Sequence, residues 1–396
     1  ETSHENQALI TVFNGHKKGS VGISNINANN MQSIIQQALD IAKFTQEDNC
    51  NGILEKDFLA INQTTQQDLQ LFNDISISNE ALITDVLELE QLAQQSKQIK
   101  TSDGASISLT AYNFATANSH DFCGGYQTSR YSKYVSLIGE NSHGMQTDYA
   151  YDSRRAFIDM DDNLVIANKA QDKIISRLHR STHKLVNKPA VIFDGQIAKS
   201  ILGSLMGAIS GNSLYRKLSF LNDSIQTKIL PDWISITEDP FVVKGLSSCY
   251  FDNEGCMVKP RTIIQNGVVQ DYLLTGYSAR KLNMQPTGNA GGTHNLAITN
   301  NFSGNISKLA NQLTDGIIIV ETIGHGLNMV TGDYSVGASG LMIKNGIIDG
   351  FVDNLTIAGN MQEIFNNIQY ISDDYSFGSI NCGSILINDG VISISS

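Results

Sequence analysis

Leu202-Gly-Ser-Leu-Met-Gly-Ala-Ile-Ser-Gly211 lies in an apolar segment that begins with Ala190-Val-Ile-Phe193. The tetrapeptide reads as a strand. Asp194 is placed to cap a helix start, and Ile197, Ile201, Leu202, Leu205, Met206 and Ile209 recur at helical spacing. Just ahead, Asn187-Lys188-Pro189 is a natural boundary, because proline stops a helix and biases Lys188 toward extended backbone. The stretch from Leu202 to Gly211 holds no His, Cys, Asp or Glu, so it brings neither a metal ligand nor a proton carrier of its own.

Beyond that helix the second half reads as mainly β. Glycine-punctuated apolar runs recur at Arg261 to Ile264, Gly316 to Glu321, Leu341 to Lys344 and Gly383 to Ile387. Asn266-Gly267 and Asn345-Gly346 follow two of these runs and are strong hairpin signals. Tyr277 to Met284 and Asn360 to Ile368 read as helices.

In the first half, residues 8–24 alternate as a hairpin, and Asn29 or Asn30 is placed to cap an amphipathic helix. Residues 46–65 are polar and read as irregular. Ser78 caps a second helix, with Glu80 in its first turn. From Ala105 the period becomes two, which predicts an antiparallel meander turning at Gly124-Gly125 and Asn141 to Gly144. A long helix is expected from Asp162 to Leu185. The expected organisation is α+β: an N-terminal α/β domain of helices with an antiparallel sheet over 1–187, then a β-rich C-terminal domain over 188–396.

The 396 residues carry 27 basic and 39 acidic side chains, a net charge of −12. That balance disfavours non-specific nucleic-acid binding, which needs a basic face. The local patch from Lys173 to Lys184, with Arg177 and Arg180, reads as a solvated helix face. Cys50, Cys123, Cys249, Cys256 and Cys382 are odd in number and form no Cys-x-x-Cys, which points to reduced thiols in a cytoplasm. No apolar run approaches the roughly 18–20 residues of a membrane span. The chain begins at Glu1 rather than Met and is expected to lack its natural start.

A helical zinc protease needs two histidines a turn apart and a glutamate beside them. The close pair His179 and His183 has Arg180 after the first, which is neither base nor ligand, so a solvated helix end is expected. Ser247, Ser248, Cys249 and Cys256 bracket Asp252 and Glu254 without an adjacent His, as a tight acidic turn between strands would. Thr287 to Asn295 is glycine-rich but lacks the features of a Walker A or dinucleotide loop. It offers exposed backbone for strand addition by an extended peptide, with His294 and Asn295 alongside. Glu321 to Tyr334 offers a second such loop.

Together these segments resemble the TldD/PmbA family, in its PmbA (TldE) branch. The resemblance is carried by Gly211 to Phe220, Phe251 to Gly255, Asp271 to Leu282, Thr287 to Asn295, Thr331 to Ser335 and Thr356 to Asn360, with weaker support from Gly124 to Tyr126 and Ser129 to Tyr131. It implies a two-domain α+β protein acting with a TldD-like partner as a cytoplasmic metalloprotease on unfolded peptides, in a family also labelled modulator of DNA gyrase. The family has a further helix and strand ahead of the point where this chain begins. By the same resemblance, the zinc-binding His-Glu-x-x-x-His helix of the catalytic branch falls on Leu202, Gly203 and Gly207, and a further Cys ligand falls on Cys382. No metal and no catalytic residue are therefore expected in this chain, and zinc is expected in the TldD-like partner. Asn289, Gly291, Gly292, His294, Asn295, His325 and Asn328 are the expected substrate-lining residues. Two rivals follow: a stand-alone homodimeric peptide-binding or regulatory protein, and an independent hydrolase using Asp252, Glu254 and His294.

Overall fold

Period-two alternation over the first half produces one short hairpin and three long strands. The computed structural model describes residues 2–24, 27–62, 67–73, 77–183 and 186–395. Strands β1 (Ala8–Asn14) and β2 (Lys17–Ile23) pair antiparallel, and helix α1 (Ala28–Phe44) packs on them. The α1 cap is Asn27, two residues earlier than expected, and its side chain accepts from the Asn29 amide. The polar run after it contains two short 3-10 turns, Lys56–Phe58 and Ala60–Asn62, while 63–65 lie outside the described residues.

Helix α2 (Asn79–Ala93) is capped by Ser78, as its sequence predicts. Strands β3 (Ile99–Ala117), β4 (Cys123–Asn141) and β5 (Gly144–Arg154) form an antiparallel sheet in that order. The turn between β3 and β4 lies at 118–122, and Gly124 and Gly125 belong to β4 instead. Their smallness serves close approach: a Cβ at Gly124 would stand 2.8 Å from the Phe251 ring, and one at Gly125 2.8 Å from the Phe114 carbonyl. Helix α3 (Asn163–Leu178) packs Ile166, Ala167, Ala170 and Ile174 against Val135, Leu137 and Ala150.

Helix α3 ends seven residues short of the expected Leu185; Lys184 and Leu185 lie outside the described residues. Its basic end is not a solvated face. The Arg177 guanidinium is buried between Asp148 (2.6 Å) and Glu321 (2.9 Å), and Arg180 pairs with Asp353 (2.6 Å). Both guanidinium groups lie over the Phe351 ring. The patch is therefore an electrostatic seam between the two halves of the chain.

The second half begins with β6 (Ala190–Phe193), fully buried, and α4 (Gly195–Ala208), whose first turn is capped by Asp194. Then come α5 (Gly211–Tyr215), β7 (Ile236–Asp239), β8 (Arg261–Gln265), β9 (Val268–Val269), α6 (Gly276–Leu282) and β10 (Asn295–Ile298). They are followed by α7 (Ile306–Ala310), β11 (Asp315–Ile323), β12 (Asp333–Lys344), β13 (Ile347–Asn360) and α8 (Met361–Asn366). The chain closes with β14 (Ile368–Ile371), β15 (Ile380–Asn381), β16 (Ile385–Ile387) and β17 (Ser393–Ser395).

These strands make a seven-stranded mixed sheet, β14-β16-β6-β11-β12-β13-β17, and a five-stranded sheet, β15-β10-β7-β8-β9. Both Asn-Gly dipeptides have positive φ at both residues (49° and 78°, 50° and 75°), the backbone a type I′ turn requires. Helix α4 buries Ile201, Leu202 and Leu205 in the main core with Phe193, Ile319 and Leu355. Burial of each such side chain contributes about 1.5–3 kcal/mol, so this face fixes the helix on the sheet.

Candidate functional site

The buried face of α4 fixes what its other face presents. Leu202 is only 2% exposed and points into the core. Gly203 is exposed, with no atom within 4 Å of the position its Cβ would take. Gly207, four residues on, shares that face, and a Cβ there would lie 3.5 Å from the Met329 methyl. Leucine and glycine side chains have no donor atom for a metal. Cys382 is buried, its thiol lies 3.2 Å from the Gly383 carbonyl, and burial pushes its pKa up to about 12, so it is a neutral thiol. Among the described residues no group of three or more His, Cys, Asp or Glu is arranged to hold a metal. The side chains on and around α4 therefore do not fit a zinc ion, which needs three or four such ligands.

What α4 does border is a cleft of about 500 Å³. Met206, Gly207 and Ser210 form one wall, Asn212 and Tyr215 of α5 a second, Leu273, Thr275 and Tyr277 a third, and Asn289, Gly292 and Thr293 the fourth. Ser210 caps α5 through the Ser213 amide, and Thr275 caps α6 through Ser278 in a reciprocal capping box. The Tyr215 and Tyr277 rings meet edge to face at 5.5 Å.

The glycine-rich wall is held from beneath by a buried polar network. Asn289 donates to Glu238 Oε1 (2.9 Å) and to the Gly292 carbonyl (3.1 Å), and accepts from Arg261 (2.5 Å) and Thr287 (2.7 Å). Arg261 also pairs with Glu238 (2.8 Å) and Asp271 (2.7 Å). Glu238 is fully enclosed and accepts the His294 amide at 2.7 Å. Among the described residues no buried side-chain nitrogen or oxygen of this cluster is left without a hydrogen-bond partner, which a buried ion pair requires.

Of the expected lining residues, Asn289 and Gly292 border the cleft, and Gly291 is exposed beside them. His294 and Asn295 lie under the loop. The His294 Nε2–H donates to the Gly288 carbonyl (2.9 Å), and Nδ1 lies beside the Cys249 thiol (3.3 Å) and the Ser247 carbonyl (3.4 Å). Burial pushes that thiol up to about 12, so it carries its proton. Asn295 donates to the Asp239 carbonyl and the Ser248 hydroxyl. His325 and Asn328 are exposed on the β11–β12 loop, and Asn328 accepts from the Val330 amide. That loop meets α4 through Met329, but neither of the two residues borders the cleft.

The structure gives no free edge at β10: Leu296 and Ala297 pair with β15 on one side and β7 on the other. The acidic turn lies within the long connection from β7 to β8 rather than forming a tight hairpin between them. Asp252 accepts the amides of Glu254, Cys256 and Ala290, and burial raises its pKa to about 6. Glu254 accepts the Gly276 amide at 2.7 Å. These carboxylates and His294 each hold a different piece of backbone, and none bonds to another.

The sequence reading missed Ser210, Asn212, Tyr215, Thr275, Tyr277 and Thr293 as cleft residues. Most fall inside segments that carry the family resemblance, but no spacing rule joins four walls drawn from positions 206 to 293.

Two family models match stretches of the chain. Residues 72–178 match the PmbA/TldA metallopeptidase central domain, and 187–393 match the PmbA/TldA metallopeptidase C-terminal domain. A metalloprotease PmbA homolog of Haemophilus influenzae is 36% identical over 99% of this chain and 87% of its own length. Metalloprotease PmbA of Escherichia coli O157:H7 is 37% identical over 96% of this chain and 83% of its own. Among solved structures, a Bacteroides thetaiotaomicron protein labelled a modulator of DNA gyrase superposes with a TM-score of 0.90 at 22% identity, covering 98% of this chain and 88% of that one. TldE from Thermococcus kodakarensis superposes at 0.84 and 19% identity, covering 98% and 90%. On these matches the chain belongs to the PmbA/TldD metallopeptidase family.

Proposed function

We propose that this chain is the non-metal subunit of a TldD/TldE-type metallopeptidase, working in the cytoplasm on unfolded peptides beside a zinc-bearing TldD-like paralogue. The observation that carries this reading is α4. It holds its place on the sheet through Leu202 while presenting bare glycine at 203 and 207, where the catalytic branch of the family carries its base and second histidine. In that division of labour the partner supplies zinc and the proton transfers, and this chain supplies a substrate-holding wall. The cleft beside Gly207 supports the second role, since it is open, walled by fixed elements and, among the described residues, lined by no His, Cys, Asp, Glu, Lys or Arg.

The test measures zinc content and peptide cleavage for this chain alone, then after mixing with its His-Glu-x-x-x-His paralogue. Zinc and cleavage are expected only in the mixture, with a hetero-oligomer on size exclusion. Stoichiometric zinc or chelator-resistant cleavage in the isolated chain overturns the reading. A stable homodimer that ignores the paralogue favours a stand-alone binding protein instead.

A further inference from the structure

We propose that the cleft beside Gly207 is a specificity pocket that seats two uncharged apolar or aromatic side chains, at positions i and i+2 of an extended peptide. The inference rests on the subunit role proposed above and adds what that subunit selects.

Three observations carry it. The first is charge. In a chain of net charge −12, no Asp, Glu, Lys, Arg, His or Cys among the described residues lines this cleft. An occupant with a charged side chain would lose part of its hydration and meet no counter-charge, which disfavours it against an apolar one. The second is the use of its polar groups. The Tyr277 hydroxyl donates to Asp48 and the Tyr215 hydroxyl accepts from Arg216, so both tyrosines offer the cleft their rings. Met206 and Leu273 complete the apolar surface. The Asn212 amide and the Thr293 hydroxyl, by contrast, have no hydrogen-bond partner among the described residues. They line the same cleft as the exposed Gly292, where φ is 118°. They are the groups left to hold a peptide backbone.

The third observation is size. About 500 Å³ is more than one side chain fills. In an extended chain, residues i and i+2 point to the same face roughly 6.5–7 Å apart. Two apolar side chains on one face therefore match a single cleft of this volume, with the intervening side chain directed outward.

The experiment uses the full chain and three fluorescein-labelled pentapeptide amides followed by anisotropy. They are Ala-Phe-Ala-Phe-Ala-amide carrying the fluorescein on its N-terminal nitrogen, and its versions with both Phe replaced by Glu or by Lys. The Phe peptide is expected to bind at least about tenfold tighter than either charged one, a difference of about 1.4 kcal/mol. Gly207→Phe fills the cleft mouth and is expected to weaken the Phe peptide about tenfold or more. Asn212→Ala, at an exposed position that tolerates substitution, keeps the apolar preference while weakening all three peptides together.

Equal binding of the three peptides, or Phe-peptide affinity unchanged in Gly207→Phe, overturns the inference. So does a Gly207→Phe chain that binds peptide normally but no longer associates with the metal-bearing paralogue, since the cleft would then be a subunit contact. The mixing experiment is read separately. Cleavage by the mixture without apolar selectivity sinks this inference alone. Selective binding without cleavage on mixing sinks the subunit role and leaves the pocket.

Discussion

The Tyr277 hydroxyl donates to Asp48 at 2.7 Å, so a wall of the cleft is tied to a segment 229 residues earlier in the chain. Asp48 also accepts Lys281 at 2.8 Å, and the neighbouring Arg280 donates to the carbonyls of Cys50 and Gly52. The polar run after α1 is therefore a strap across α6, held by these hydrogen bonds and, a few residues on, by Leu54 and Leu59, which are buried with Phe122, Phe251 and Cys256.

This tie has a pH signature. The Lys281 ammonium first, then the Cys50 amide and the Tyr277 hydroxyl, hold the Asp48 carboxyl at about 2, below its ordinary 3.8. A depressed carboxylate contributes stability that is complete above its unfolded value and is lost as pH falls through the folded one. The denaturation midpoints of wild type and Asp48→Asn should differ by a constant amount above about pH 5, and that difference should shrink from about pH 5 to about pH 2. Tyr277→Phe keeps the ring in the cleft and loses one hydrogen bond, so it should cost about 1 kcal/mol in urea unfolding.

Asn289 gives a larger effect. Asn289→Ala leaves Glu238 Oε1 with only the His294 amide, removes the Arg261 contact and frees the Gly292 carbonyl. Leaving such buried groups underused costs about 1–3 kcal/mol each way, so a loss of about 3 kcal/mol is expected in chemical unfolding. The same substitution should weaken the Phe pentapeptide, because the loop carrying Thr293 loses its strut. A stable variant with unchanged peptide affinity would show that the network serves the fold and not the cleft.

The unequal legibility of fold and site has a physical cause. Strands, caps and Asn-Gly turns are local, so Ser78, Asp194 and Asn345-Gly346 could be read from neighbours in sequence. The turn placed at Gly124-Gly125 failed because glycine has two uses. There it makes room for Phe251 and the Phe114 carbonyl instead of bending the chain. The Arg177 patch was misread because its partners, Asp148 and Glu321, lie on strands far away in sequence. The bare face of α4 was readable from composition alone. The cleft was not, since His294 and Asn295 look like ligands in sequence yet point beneath the loop, where Gly288 and Ser248 take them up.

Asp252 predicts a pH dependence of the opposite sign. Burial raises its pKa to about 6 from 3.8, against the pull of three backbone amides. The folded state then holds a proton that the unfolded state has already released, so stability falls as pH rises from about 4 to about 6 and is level beyond. The drop is on the order of 3 kcal/mol. Asp252 anchors the Ala290 amide, and the ionised carboxylate is the stronger acceptor, so this local tie tightens on the alkaline side of the window even as global stability falls. In Asp252→Asn the slope between pH 4 and 6 should vanish, read from urea midpoints against wild type. A variant that retains the wild-type slope would assign the transition to another group.

The sharpest test of α4 compares its adjacent positions. Gly203 is exposed and a Cβ there meets open space, so Gly203→Ala should stabilise the isolated chain by about 0.5–1 kcal/mol through helix propensity alone. Gly207 borders the cleft and can take a histidine with only the Met329 methyl to displace. Leu202 cannot. Its side chain is enclosed by the main core, so Leu202→His removes apolar burial and strands imidazole nitrogens there, at a cost of about 3 kcal/mol or more. Restoring His-Glu-x-x-x-His by Leu202→His, Gly203→Glu and Gly207→His should therefore lower thermal stability sharply without creating tight zinc binding. A triple variant that melts near wild type and binds zinc stoichiometrically would mean that α4 can rotate on the sheet. The division of labour between the two subunits would then rest on these three side chains alone.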